Sequence, residues 1–66
     1  MERILESDIT GIRFVQRVRG ERERFTDFFI SLCDGRTFYS RRMYPIEDTP
    51  HARSAEKQEF LRRQNR

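Results

Sequence analysis

The chain has no tryptophan, one cysteine, one histidine, one lysine, two prolines and three glycines in 66 residues. Each scarcity removes a class of protein. A lone Cys33 cannot close an internal disulfide, and with a lone His51 it cannot supply a four-ligand zinc site, so neither of the usual staples of a small domain is to hand. Cys33 reads as a reduced, partly buried thiol in a cytoplasmic protein. No apolar run approaches the roughly 20 residues that span a bilayer. The opening Met1-Glu2-Arg3 lacks the basic and apolar regions of a signal peptide. The expectation is therefore a soluble, cytoplasmic chain without a membrane partner. No nucleophile motif, phosphate-cradling glycine loop or paired histidine and carboxylate occurs. His51, beside Pro50, reads as solvent-exposed, and the chain as a binding protein with no catalytic residue, metal or cofactor.

What is present is bulk and arginine. Six Phe and two Tyr enlarge an apolar fraction of only 35%, against 38% charged residues. So short a chain buries only about 60% of its unfolded surface. That favours one marginally stable domain, with self-association, a homodimer for instance, as the remaining source of stability. Thirteen of the fourteen cations are Arg, leaving Lys57 as the single Lys, and the net charge is +3. Arg carries a planar fork of donors matched to phosphates and guanine edges, although GC-rich coding alone would also favour it. The charge is segregated: residues 11–44 hold eight Arg against four acids, 45–59 hold four acids against two cations, and 62–66 hold three more Arg. Such segregation suits a protein with one basic face.

Punctuation sets the elements. Gly11 opens an alternating, β-branched stretch from Ile12 to Val18, a first strand. The polar run Arg19–Arg24, which contains Gly20, reads as a hairpin connection. A second strand from Phe25 to Cys33 is apolar on both faces and hence central. Asp34-Gly35 predicts a two-residue type I′ turn, and a third strand runs from Arg36 to Met43 or Tyr44. Pro45 and Pro50 bracket an acidic loop. Thr49 or Asp48 caps a helix that begins at Pro50 and continues to about Arg63, with Ala52, Ala55 and Phe60 on one side and shallow docking. The arginines near its end also suit the helix dipole. Residues 1–8 are a tail, an edge strand or a dimer contact, and residues 9–66 form a single domain. The fold class is α+β, a three-stranded antiparallel sheet packed against one C-terminal helix (βββα).

Register turns this layout into a functional expectation. A two-residue turn pairs Cys33 with Arg36, Ser31 with Phe38, Ile30 with Tyr39 and Phe28 with Arg41. An even-length first loop sets Arg19 opposite Arg24, Phe14 opposite Phe29 and Val15 opposite Phe28. One face then gathers Ile12, Phe14, Val18, Phe25, Phe29, Cys33 and Phe38 as a core. The other gathers Arg13, Arg17, Arg19, Arg24, Thr37, Tyr39 and Arg41 around a strip of Val15, Phe28 and Ile30. The candidate nucleic-acid-binding residues are accordingly Arg13, Arg17, Arg19, Arg24, Tyr39 and Arg41. The expected partner is nucleic acid, double-stranded DNA ahead of RNA. A protein partner, met through the same arginine and aromatic surface by an accessory module of phage or plasmid type, is the competing reading.

The segment Ile9-Thr10-Gly11-Ile12-Arg13, the turn Asp34-Gly35-Arg36, and a C-terminal helix with Ala52 and Ala55 resemble the ethylene-response-factor type DNA-binding domain. They also resemble the arm-site-binding domains of phage and transposon integrases. The resemblance covers residues 9–63 in layout and about eight residues in identity. It implies a three-stranded sheet that reads DNA, backed by one helix, with a DNA contact at Arg13. The chain departs from that pattern in having no tryptophan, in carrying Asp27 near a usually small position, and in a longer interval before the Asp-Gly turn.

Overall fold

The computed structural model describes residues 3–66. A 3-10 turn at Glu6–Asp8 leads into β1 (Ile9–Arg19), β2 (Glu23–Leu32) and β3 (Thr37–Arg42), and α1 (Pro50–Gln64) follows. The strands form an antiparallel sheet in the order β1-β2-β3. This is the expected βββα layout, with β2 central.

The turns depart from expectation. Arg19 pairs with Glu23, so Gly20-Glu21-Arg22 is a three-residue loop, and Gly20 has φ 67°. At the second turn the Leu32 amide donates to the Arg36 carbonyl at 2.9 Å and the Gly35 amide to the Leu32 carbonyl at 3.0 Å, which makes Cys33-Asp34-Gly35 a three-residue loop as well. A two-residue type I′ turn would need positive φ at both Asp34 and Gly35. Only glycines take positive φ among the described residues, Gly35 at 94°. The Asp34 carboxylate instead accepts from the Arg36 amide at 3.0 Å and the Arg36 Nε at 2.7 Å, which fixes Asp34 in an ordinary conformation and leaves the left-handed step to Gly35.

Two odd loops move β2 by one residue against both neighbours, and one residue of slip exchanges the faces of a strand. Phe14 now stands opposite Phe28, Ile12 opposite Ile30, Phe29 opposite Tyr39 and Asp27 opposite Arg41. The expected pairings of Phe14 with Phe29 and of Phe28 with Arg41 are therefore corrected. The outer strands keep their expected faces. The helix side holds Ile12, Phe28, Ile30 and Leu32, all buried, with Phe14 and Phe38 half-buried. The rings of Phe14 and Phe28 meet edge to face at 4.6 Å and those of Phe38 and Phe60 at 5.0 Å. Val18 and Cys33, expected in the core, are exposed, and Phe25 and Phe29 lie on the opposite face. Val18 lies near the tip of the β1–β2 hairpin, in a molecule of 43 × 21 × 21 Å.

Polar contacts carry the chain from β3 to the helix. The buried Thr26 hydroxyl accepts from the Ile46 amide at 2.9 Å, and Gln16 Nε2 donates to the Ile46 carbonyl at 2.6 Å, so the loop after β3 is tied across the sheet. Thr49 caps α1 by accepting from the Ala52 amide at 3.0 Å, with Pro50 in the first turn. The docked side of α1 is largely polar. Arg53 donates to the Ile12 carbonyl at 2.9 Å, and Glu56 pairs with Arg42 at 3.1 Å. Phe60 is the buried residue of the helix, and Ala55, expected on the docked side, is exposed. Ile4 is buried in the core, and its backbone is bonded in both directions to the Asn65 side chain, at 2.9 and 2.7 Å.

Candidate functional site

The sheet face turned from the helix is uncovered, and strand pairing writes its contents as rows. From the start of β1 these are Gly11, Ser31 and Thr37; then Arg13, Phe29 and Tyr39; then Val15, Asp27 and Arg41; then Arg17 and Phe25; and finally Arg19 and Glu23. Arg13, Arg17, Arg19, Tyr39 and Arg41 thus share one surface. Arg24 does not: it stands opposite Val18, on the helix side of the sheet. Its displacement follows from the same slip of β2 that moves Phe28 and Ile30 to the core.

Phe25 and Phe29 replace those two residues as the apolar spine, and the arginines cover them. The Arg41 guanidinium lies 4.1 Å from the Phe25 ring centre, and that of Arg13 lies 4.9 Å from the Phe29 ring centre. A cation over a ring face gains from the ring quadrupole while its own edge donors stay available. Phe25 is buried although it lies on the open face, and Phe29 is half-buried, its ring 5.3 Å from that of Tyr39.

At the centre is Asp27, only 2% exposed. It accepts from Arg41 Nε at 2.7 Å and Arg41 Nη2 at 3.2 Å, from the Tyr39 hydroxyl at 2.9 Å and from Arg17 Nε at 3.1 Å. The hydrogen bond from Arg41, followed by those from Tyr39 and Arg17, holds its carboxyl far below the usual carboxylate range and outweighs the opposing effect of desolvation. Asp27 is therefore ionised throughout the neutral range. Arg41 is in turn held more firmly protonated by that carboxylate. Arg19 pairs with Glu23 at 2.6 Å, in the open, where an ion pair adds little. Arg13 has no carboxylate partner among the described residues. The four arginines against Asp27 and Glu23 leave the face positive.

Asp27, Phe25 and Phe29 escape a reading based on alternation alone, yet a signal for them is present. Assigning Phe25 and Phe29 to the core also assigns Asp27 to it, because the three share parity, and a carboxylate among the aromatic and aliphatic side chains of a core is costly unless it is paired. The run Phe25-Thr26-Asp27-Phe28-Phe29, in a chain so rich in Arg, points to an acid enclosed by cations on the other face.

Among the described residues no group of three or more His, Cys, Asp or Glu could hold a metal ion, and no helix is long and apolar enough to cross a membrane. No protein-family model, curated protein or solved structure matches the chain.

Proposed function

We propose that this chain binds nucleic acid, double-stranded DNA in the first place, through the open face of its sheet. The observation that supports the reading is the gathering of Arg13, Arg17, Arg19 and Arg41 on the one surface the helix leaves free. Antiparallel β-ribbons can enter a major groove, and guanidinium groups suit both phosphates and guanine edges. Binding of this kind releases counterions from the duplex, so affinity falls steeply with salt.

The test is titration of a short labelled duplex of random sequence at several salt concentrations. The expected slope of log K against log salt is about −3, from three or four phosphate contacts. Arg13→Ala with Arg17→Ala reduces the magnitude of that slope by about 2, whereas Arg62→Ala with Arg66→Ala, at the far end of the helix, leaves it unchanged. Equal losses from the two pairs would mean that net charge alone attracts the duplex. An absence of duplex binding even at low salt would favour protein docking through the same region. Tyr39, 54% exposed on this face, offers that alternative an aromatic contact group.

A further inference from the structure

A buried carboxylate is an unexpected centre for a face that meets phosphates, since it repels them and cancels part of the positive charge. Its hydrogen bonds suggest what it contributes. The Asp27 carboxylate lies in the middle of the central strand and receives donors from both neighbours, Arg17 from β1 and Tyr39 and Arg41 from β3. Arg17 is engaged through Nε alone, which leaves both of its terminal nitrogens without a hydrogen bond among the described residues. Arg41 uses Nε and Nη2 and keeps Nη1, with its guanidinium laid on Phe25 at 4.1 Å. Both side chains remain substantially accessible, at 51% and 38% exposure. Free arginine side chains must be immobilised when they bind, which weakens association. Here two are held before any ligand arrives, each with donors to spare.

We propose that Asp27 is the positioning residue of the face: it holds Arg17 and Arg41 in the poses in which their remaining N–H groups meet a duplex. The inference rests on the duplex reading above. It makes a prediction of opposite sign to simple charge counting. Asp27→Asn removes a negative charge from the face, so charge counting expects tighter binding, whereas loss of positioning expects weaker binding.

The experiment measures duplex affinity at one low salt concentration for the full chain and three variants, with amide spectra and thermal melting to identify those that fold. Asp27→Asn is expected to bind about ten-fold more weakly, the scale of one charge-assisted hydrogen bond. Arg17→Lys and Arg41→Lys keep the net charge and still neutralise Asp27. A lysine that engages the carboxylate has no second and third nitrogen to offer, so each is expected to lose affinity several-fold. These two decide the matter if Asp27→Asn does not fold. Resonances of the guanidinium groups give a readout that a merely structural role would not move: on adding duplex, the terminal N–H signals of Arg17 shift while its Nε–H signal stays in place. Tighter or unchanged binding by Asp27→Asn, or wild-type affinity in both lysine variants, overturns the inference and leaves the duplex reading standing. Failure of the unmodified chain to bind duplex overturns both.

Discussion

The two faces of this sheet cover aromatic surface in different ways. On the helix side, Phe28 is fully buried edge to face against Phe14 and Phe38 meets Phe60 in the same way, while the guanidinium groups of Arg42, Arg53 and Arg36 stand farther off, at 5.7, 5.8 and 5.6 Å from the Phe28, Phe14 and Phe38 ring centres. On the open side, Phe25 and Phe29 have no second apolar layer and are shielded by Arg41 and Arg13. The first arrangement stabilises by removing apolar surface from water. The second gains less, since a long Arg side chain screens a ring while its charged head stays wet. A ring covered by arginine is still covered, and the charge that covers it remains available to a partner. The difference separates a side closed by ring-to-ring packing from a side closed by cations.

Substitutions can break or sharpen that contrast. The largest effect is expected from Phe28→Ala, which empties a fully buried site and costs about 4 kcal/mol, enough to unfold a marginal domain. Phe29→Ala removes a half-buried ring from beneath Arg13 and costs about 1.5 kcal/mol. Chemical denaturation of the two variants checks the pair, and equal costs would show that the open face is as much a core as the other. Thr49→Ala, which removes the cap of α1, is expected to cost about 1 kcal/mol. Loss of the whole transition in that variant would mean that the helix, with Phe60 as its buried residue, contributes more than its shallow docking implies.

A pH-dependent contrast between the faces lies in the titration of Asp27. Its folded-state pKa is depressed below the ordinary 3.8. The stability it contributes is therefore complete above that value and is lost as pH falls towards the depressed one. The difference in melting temperature between the wild type and Asp27→Asn should hold steady from neutrality down to about pH 5 and narrow in stronger acid. Asp34, Asp48 and Glu59 also have lowered pKa values but titrate in both proteins, so the comparison isolates Asp27. A constant difference across the acid range would remove the ion-paired carboxylate from the account of the open face.

Much of this was legible in the residues. The order of three strands and a helix, the start of α1 at Pro50 and the central place of β2 follow from local signals. So do the faces of the outer strands, and with them the grouping of Arg13, Arg17, Arg19, Tyr39 and Arg41. The face of β2 was not legible from turn residues, because Asp-Gly suits both a two-residue and a three-residue loop and the choice reverses every side chain of the strand. Arg24 was lost to the open face for that reason, and Phe25 and Phe29 were gained by it.

By itself, then, the amino-acid sequence determined which segments are extended and which is helical, since those preferences are set within a few residues by side-chain shape, glycine and proline. Only the tertiary structure decided which way β2 faces. That choice turns on contacts between residues distant in the chain: Phe28 finds Phe14, and Asp27 finds Arg17 and Arg41. A buried carboxylate has to be solvated by something, and the cations able to do so stand on two other strands.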